Sequence, residues 1–123
     1  MAEIALPKRI ERWKAAWESS DVERILALYA AKCRHESALV PRLYPEAKGA
    51  ILVGPKALRA YLERGVAWFT RVRFEVVSIV EDERRSAIEY RRHSDVDGGS
   101  PAHVLELLEW SGDEIRSAVV FQV

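Results

Sequence analysis

The segment RHESALVP, residues 34–41, places a histidine directly beside a glutamate. His35 and Glu36 would form an acid/base pair if both side chains faced one pocket. In a β-strand, however, neighbouring side chains point to opposite faces, so Glu36 should point away from His35. Cys33 and Ser37 then share the face of His35. We expect His35 to be either a core histidine bonded to a backbone or hydroxyl group, or a pocket acid/base.

Glu106 lies in the middle of the apolar run VLELLEW. Strand alternation places it on one face with the apolar side chains of Val104, Leu108 and Trp110. If it points inward, a carboxylate with such neighbours must be paired, hydrogen-bonded or protonated. Protonated near neutral pH, it would be a general acid or a hydrogen-bond donor to a substrate oxygen, with His35 as its partner. In the alternative register, Glu106 lies on an exposed or dimer face opposite an arginine.

Two more polar residues at strand spacing occur in IEYRRHS, where Tyr90 and Arg92 share one face. Tyr90 is the better candidate for a polar pocket group. Arg92 would pair with Glu106 across neighbouring strands or hold a carboxylate ligand. The alternative for these strand residues is ordinary cross-strand pairing on the surface.

Other kinds of site lack their usual sequence signals. The histidines at positions 35, 93 and 103 show neither HxH nor HExxH spacing, and Cys33 is the single cysteine. No glycine-rich phosphate loop or dinucleotide-binding motif occurs, so we expect no metal and no cofactor. The 19 basic and 19 acidic residues balance, and no apolar run has the length of a signal peptide or membrane span. We therefore expect a cytoplasmic protein that binds neither nucleic acid nor membrane.

The first half of the chain shows helical spacing. Apolar residues recur at this spacing over residues 7–19, and a capping-box pattern at residues 20–23 opens a second helix that runs to Tyr29. A third helix begins at residues 54–55, with Gly65 as its stop. The length of 123 residues suits one domain, residues 1–123, with a single core.

The second half changes to strand spacing, with strands at residues 72–80, 86–93, 103–110 and 114–123. A short strand at residues 33–40 lies between the second and third helices. The loop at residues 41–54 is either a rim or lid of a pocket or a stiff surface excursion. These elements predict an α+β fold in which a curved antiparallel sheet, about four long strands plus a short first strand, packs against three N-terminal helices.

The order of these elements resembles the nuclear transport factor 2-like superfamily, particularly its SnoaL-like and ketosteroid-isomerase-like branches. The matching stretches are WKAAWESSDVERILALYA, the RHES strand, GPKALRAYLERG and LLEWSGDEIRSAVVF. The resemblance implies a cone-shaped barrel half closed by helices, usually dimeric, with a pocket between sheet and helices. The superfamily includes isomerases, cyclases, hydrolases, dehydratases and non-catalytic subunits, so the fold does not fix a reaction.

The resemblance also assigns roles to three positions. The catalytic aspartate of steroid isomerases falls at Ser37, their helix-one tyrosine at Trp13, and their late-strand acid near Glu106. Only the last keeps its chemistry, because a serine without an adjacent base does not abstract a proton from carbon near neutral pH. Ketosteroid isomerisation by that mechanism is therefore not expected.

Together the sequence predicts a cofactor-independent protein that binds a small, largely apolar molecule. It would be an acid/base isomerase, hydratase or cyclase, or else a non-catalytic binding or assembly module with a vestigial pocket. The last strand, IRSAVVFQV, shows little alternation, which predicts a homodimer formed through the outer sheet face. His35 and Glu106 are the candidate catalytic residues. The candidate substrate contacts are Trp13, Trp17, Ser37, Tyr61, Tyr90 and Arg92.

Overall fold

The computed structural model describes residues 4–123, which form four α-helices and six β-strands. The helices are α1 (Lys8–Glu18), α2 (Val22–Leu26), α3 (Val40–Leu43) and α4 (Pro55–Trp68), with a 3-10 turn at Pro45–Ala47. The strands are β1 (Tyr29–Ser37), β2 (Ile51–Val53), β3 (Val72–Glu81), β4 (Arg85–Ser94), β5 (Ala102–Ser111) and β6 (Glu114–Gln122). No helix in residues 4–123 is long and apolar enough to cross a membrane.

The second helix is shorter than the sequence predicts. Its N-cap is Asp21, whose side chain accepts from the backbone N–H groups of Glu23 and Arg24, so the predicted capping box at Ser20 is wrong. The helix ends at Leu26, and Tyr29 opens β1. The chain joins the sheet there because the carbonyl of Leu28 accepts from the N–H of Ile115.

The sheet has the strand order β2-β1-β6-β5-β4-β3. The α+β prediction with helices beside a curved sheet is confirmed, but two details differ. The first strand spans nine residues and runs parallel to β6, whereas every other pair is antiparallel. The predicted loop at residues 41–54 contains α3, the 3-10 turn and β2, which pairs with β1. Register shifts in the β3–β4 and β5–β6 pairs bend the sheet.

The core lies between the inner sheet face and the helices. Strands β1, β4 and β5 bury alternate side chains along much of their length, as period-2 spacing requires. In β4 and β5 the inward set includes Ile88, Val104 and Leu108, and α1 and α4 cover them with Ile10, Trp13, Leu58 and Leu62.

Gly65 does not stop α4, because the helix continues to Trp68. A Cβ added at Gly65 meets no atom within 4 Å. We therefore expect Gly65→Ala to raise the free energy of unfolding by about 0.5–1 kcal/mol, since alanine loses less backbone entropy than glycine in a helix. Urea unfolding measures the change. Gly54→Ala is the matched control: Gly54 has φ 87°, so this substitution should lower stability. A destabilised Gly65→Ala protein would contradict the expectation.

Candidate functional site

A cavity of about 80 Å³, here called the chamber, lies between the helices and the inner face of the sheet. That volume holds a few water molecules, or the head of a small ligand. Residues from the four helices and from five of the six strands line it, among them Trp17, His35, Tyr61, Phe74, Tyr90 and Glu106. The wall is mostly apolar, so its few polar groups are the candidates for hydrogen bonds or proton transfer to a ligand.

Glu106 lies in β5, opposite Ile88 of β4 and Val120 of β6. Its side chain is 3% exposed. Oε1 accepts a hydrogen bond of 2.8 Å from the hydroxyl of Tyr90. Within residues 4–123, Oε2 has no hydrogen-bond partner. Buried polar atoms nearly always have partners, so a small movement of the surrounding side chains would let a ligand atom or a water in the chamber bind this oxygen.

The protonation of Glu106 follows from these surroundings. Burial raises the pKa of its carboxyl from 4.5 to about 7, because the charged form loses its hydration. The hydroxyl of Tyr90 lowers the pKa against this trend. The indole N–H of Trp13 acts in the same direction, although it makes no hydrogen bond of normal geometry. Near neutral pH, Glu106 is therefore present in both its protonated and its ionised form.

His35 also lines the chamber and is 3% exposed. Its Nδ1 lies 3.3 Å from the hydroxyl of Tyr29, and its ring packs near those of Trp17 and Tyr61. Burial lowers the pKa of His35 from 6.5 to about 4, so the imidazole is neutral at neutral pH. His35 thus has the hydroxyl partner of a core histidine and also faces the cavity. Tyr29 was missed as its partner because the sequence places that residue in a helix.

The outward direction of Glu36 is confirmed. Its carboxylate lies 3.5 Å from Arg34 on the other side of β1, away from His35. The adjacency of histidine and glutamate in RHES therefore makes no dyad.

The predicted pairing of Arg92 with Glu106 is wrong. Glu106 lies opposite Ile88 of β4, and Arg92 lies four residues further along the same strand, opposite Ala102. Four residues of strand span roughly 13 Å. Arg92 instead donates to both carboxylate oxygens of Asp97, from Nε at 3.1 Å and from Nη2 at 3.0 Å.

Five of the six predicted substrate contacts line the chamber: Trp17, Ser37, Tyr61, Tyr90 and Arg92. Trp13 is not part of the wall. It is fully buried, with its ring centroid 5.3 Å from Phe74 and 5.4 Å from Tyr90. The resemblance indicated Trp13 through a helix position, but the indole packs behind the wall. Phe74, on the inner face of β3, was missed as a wall residue, although the alternation of β3 carries that signal.

A second cavity, here called the vestibule, adjoins the chamber and is open to solvent, with a volume of about 840 Å³. Four residues line both cavities: Leu39, Leu43, Phe69 and Arg92. Leu43 belongs to the predicted loop 41–54, so part of that segment forms a pocket rim. Within the described chain, no group of three or more histidine, cysteine or acidic side chains is placed to hold a metal ion.

Comparison with known proteins identifies the family. A family model described as the SnoaL-like domain matches residues 10–118. No curated protein matches the sequence significantly. Among solved structures, a SnoaL-like protein of unknown function from Burkholderia thailandensis is 21% identical, with a TM-score of 0.76 over 92% of this chain and 89% of that one.

Two further similar structures contain small molecules. A protein with a ketosteroid isomerase-like fold from Catenulispora acidiphila, in complex with trimethylamine, is 21% identical, with a TM-score of 0.71 over 95% of this chain and 86% of that one. TerC, co-crystallised with polyporic acid, is 12% identical, with a TM-score of 0.75 over 94% and 89%. At these identities the likeness shows the fold alone. Because the family model spans most of the sequence, the chain belongs to the SnoaL-like domain family of the nuclear transport factor 2-like superfamily.

Proposed function

We propose that the protein binds a small, largely apolar molecule in the chamber and that Glu106 and His35 carry out acid/base chemistry on it. The observation that carries this proposal is the unpartnered Oε2 of a buried carboxyl group in the wall of a cavity. A ligand oxygen that accepts from the protonated carboxyl would satisfy this atom. Two proteins of the same fold were crystallised with small molecules, which supports a small-molecule ligand for this one.

The two residues have different roles in this proposal. Tyr90 holds Oε1 of Glu106, which leaves Oε2 to carry the proton toward the ligand. A group with a pKa of about 7 donates and recovers a proton readily at neutral pH. At neutral pH the imidazole of His35 is uncharged. It therefore acts toward the same ligand as a proton acceptor or as a hydrogen-bond acceptor. Isomerisation, hydration and cyclisation each need one proton donated and one removed.

Hydrogen–deuterium exchange on a small enone tests this chemistry. We expect cyclohex-2-enone to bind more tightly than cyclohexene, which lacks the oxygen. In D₂O, the protein should accelerate exchange of the α' and γ hydrogens of the enone, as followed by proton NMR. Glu106→Gln and His35→Asn should each slow the accelerated exchange roughly 100-fold, because each removes a general acid or base.

Glu109→Gln is the matched control for this experiment. Glu109 lies on β5 like Glu106, but its side chain is on the outer face near Arg116, so exchange should be unchanged. Binding of the enone without accelerated exchange would leave a binding protein and remove the catalytic part of the proposal. No binding of either probe would remove both parts.

We also propose that a second copy of the chain covers the outer sheet face. Cross-strand neighbours Leu105 and Phe121, and Leu107 and Val119, form an apolar patch there. Phe121 is 49% exposed and Leu107 is 40% exposed. Exposed apolar patches of this kind are typical of protein interfaces. In the alternative function, a non-catalytic assembly module, this face would bind the partner protein.

The dimer proposal predicts a mass of twice 14.0 kDa in sedimentation equilibrium. Leu107→Glu should shift the mass to that of one chain, because an unpaired carboxylate would be buried in the interface. Ile4→Glu is the control, since Ile4 is also an exposed apolar residue but lies before α1, outside the sheet. A wild-type protein that sediments as a single chain at all concentrations would disprove the dimer.

A further inference from the structure

The junction of the chamber and the vestibule contains a charged group. Arg92 lines both cavities although it is only 8% exposed. Its guanidinium stacks on the ring of Phe69, at 4.6 Å from the ring centroid. Two of its nitrogens donate to Asp97, which fixes the plane of the group. The position of the guanidinium is therefore set by contacts on two sides.

One nitrogen of Arg92 remains available. Nη1 donates no hydrogen bond to any residue of the range 4–123, and it is not sealed from the cavity as a buried unpaired atom would be. A guanidinium is always charged and presents its donors in a planar fork that suits carboxylate oxygens. The free donor thus lies where a ligand leaving the chamber would pass.

The charges of the vestibule favour an anion. Three arginines line it, Arg42, Arg64 and Arg92, against a single carboxylate, Asp97. Asp97 is already bound to Arg92, and Arg64 is bound to Glu46. Arg42 makes no ion pair with the described part of the chain, so the lining retains positive charge.

Size gives the second constraint. The chamber, with a volume of about 80 Å³, accommodates only a small ligand head. A longer ligand must extend past Arg92 into the vestibule, whose wall includes the half-exposed indole of Trp68. Along the strand direction, Glu106 and Arg92 are offset by four residues. The two polar ends of the ligand would therefore be separated by a short chain or one ring.

We propose that the ligand is an amphiphilic carboxylate, with an oxygen-bearing head in the chamber and its carboxylate on Nη1 of Arg92. The proposal rests on the proposed function in one respect, that the chamber binds a ligand. Asp97 acts as a positioning residue, because it holds the guanidinium against Phe69 without reaching the chamber. Arg42 attracts the anion from the vestibule side.

Titration calorimetry with three matched probes tests this assignment. The probes are 4-oxopentanoate, its primary amide, and butanone, which has the head but no tail. We expect the carboxylate to bind about tenfold more tightly than the amide, which is the usual gain from a charge-assisted hydrogen bond. Arg92→Gln should remove this difference, and the affinity of the same variant for butanone measures any change in the chamber itself.

Two further variants keep the test independent of the folding of Arg92→Gln. Arg42→Gln should weaken the carboxylate severalfold and leave the amide unchanged, since Arg42 is exposed and outside the core. Arg91→Gln, on the outer face of the same strand as Arg92, should change neither. Equal binding of acid and amide by the wild-type protein would overturn the carboxylate assignment while leaving the chamber ligand in place. If none of the three probes binds, the carboxylate assignment fails together with ligand binding in the chamber.

Discussion

Glu106→Gln will gain stability over the wild-type protein as the pH rises, by about 3 kcal/mol between roughly pH 4 and pH 8. The carboxyl of Glu106 has a pKa of 4.5 when exposed and about 7 in the folded protein. Between these values the folded chain binds a proton that the unfolded chain has released. Its contribution to stability is present below the unfolded pKa and is lost as the pH rises through the folded pKa. Glutamine does not titrate, so the variant does not lose this part of the free energy of unfolding as the pH rises.

His35 has the opposite effect on stability. Its pKa is 6.5 when exposed and about 4 in the folded protein, so between these values the unfolded chain binds the extra proton. Stability from this residue therefore rises with pH over that window. Between about pH 4.5 and 6.5 the two effects cancel, because folding moves one proton from an imidazolium to a carboxylate and leaves both groups neutral. We expect these two residues to contribute almost no net slope in the wild-type protein there.

Single variants separate the two contributions. The stability of Glu106→Gln should itself rise with pH, because only the contribution of His35 remains, and the stability of His35→Asn should fall with pH, because only that of Glu106 remains. Urea unfolding at a series of pH values measures both, and subtracting the wild-type curve removes the contribution of all unchanged groups. Glu109→Gln, on the outer face of β5, is the control for loss of a carboxylate. Parallel curves for wild type and Glu106→Gln would show that Glu106 is an ordinary, hydrated carboxylate.

Strand periodicity was enough to predict which residues share a face, but it left two choices for the face that points inward. In the structure His35, Glu106 and Tyr90 all point inward, on the face that carries most of the buried apolar side chains. Composition and element order were likewise enough for the α+β class. These features depend on local pattern, which a single sequence contains.

Other features depend on contacts between distant segments and were missed. Leu28 and Tyr29 fit a helix as well as a strand by spacing, and the parallel partner β6 decides between them. The partner of Arg92 is Asp97 in the following turn, a choice that strand register and turn geometry make together. Chamber volume and the position of Trp13 behind its wall are likewise results of packing, which spacing alone does not encode.

The second large effect is expected at Trp13. Its side chain is fully buried and packs against the rings of Phe74 and Tyr90. Trp13→Ala would leave a cavity behind Tyr90, which holds Glu106 in place. Large-to-small changes of a buried tryptophan lower the free energy of unfolding by about 3–5 kcal/mol. Urea unfolding monitored by far-ultraviolet circular dichroism measures the loss without relying on tryptophan fluorescence.

Trp68→Ala is the matched control, because Trp68 is 50% exposed at the end of α4 and should lose much less stability. A functional consequence accompanies the loss at Trp13. Water that enters the space behind Tyr90 would hydrate the carboxyl of Glu106 and lower its pKa toward 4.5, because burial is the main cause of the raised value. The gain from adding Glu106→Gln at alkaline pH should then be smaller in a Trp13→Ala background than in the wild type. An equal gain in both backgrounds would show that Trp13 supports the fold without shielding the acid.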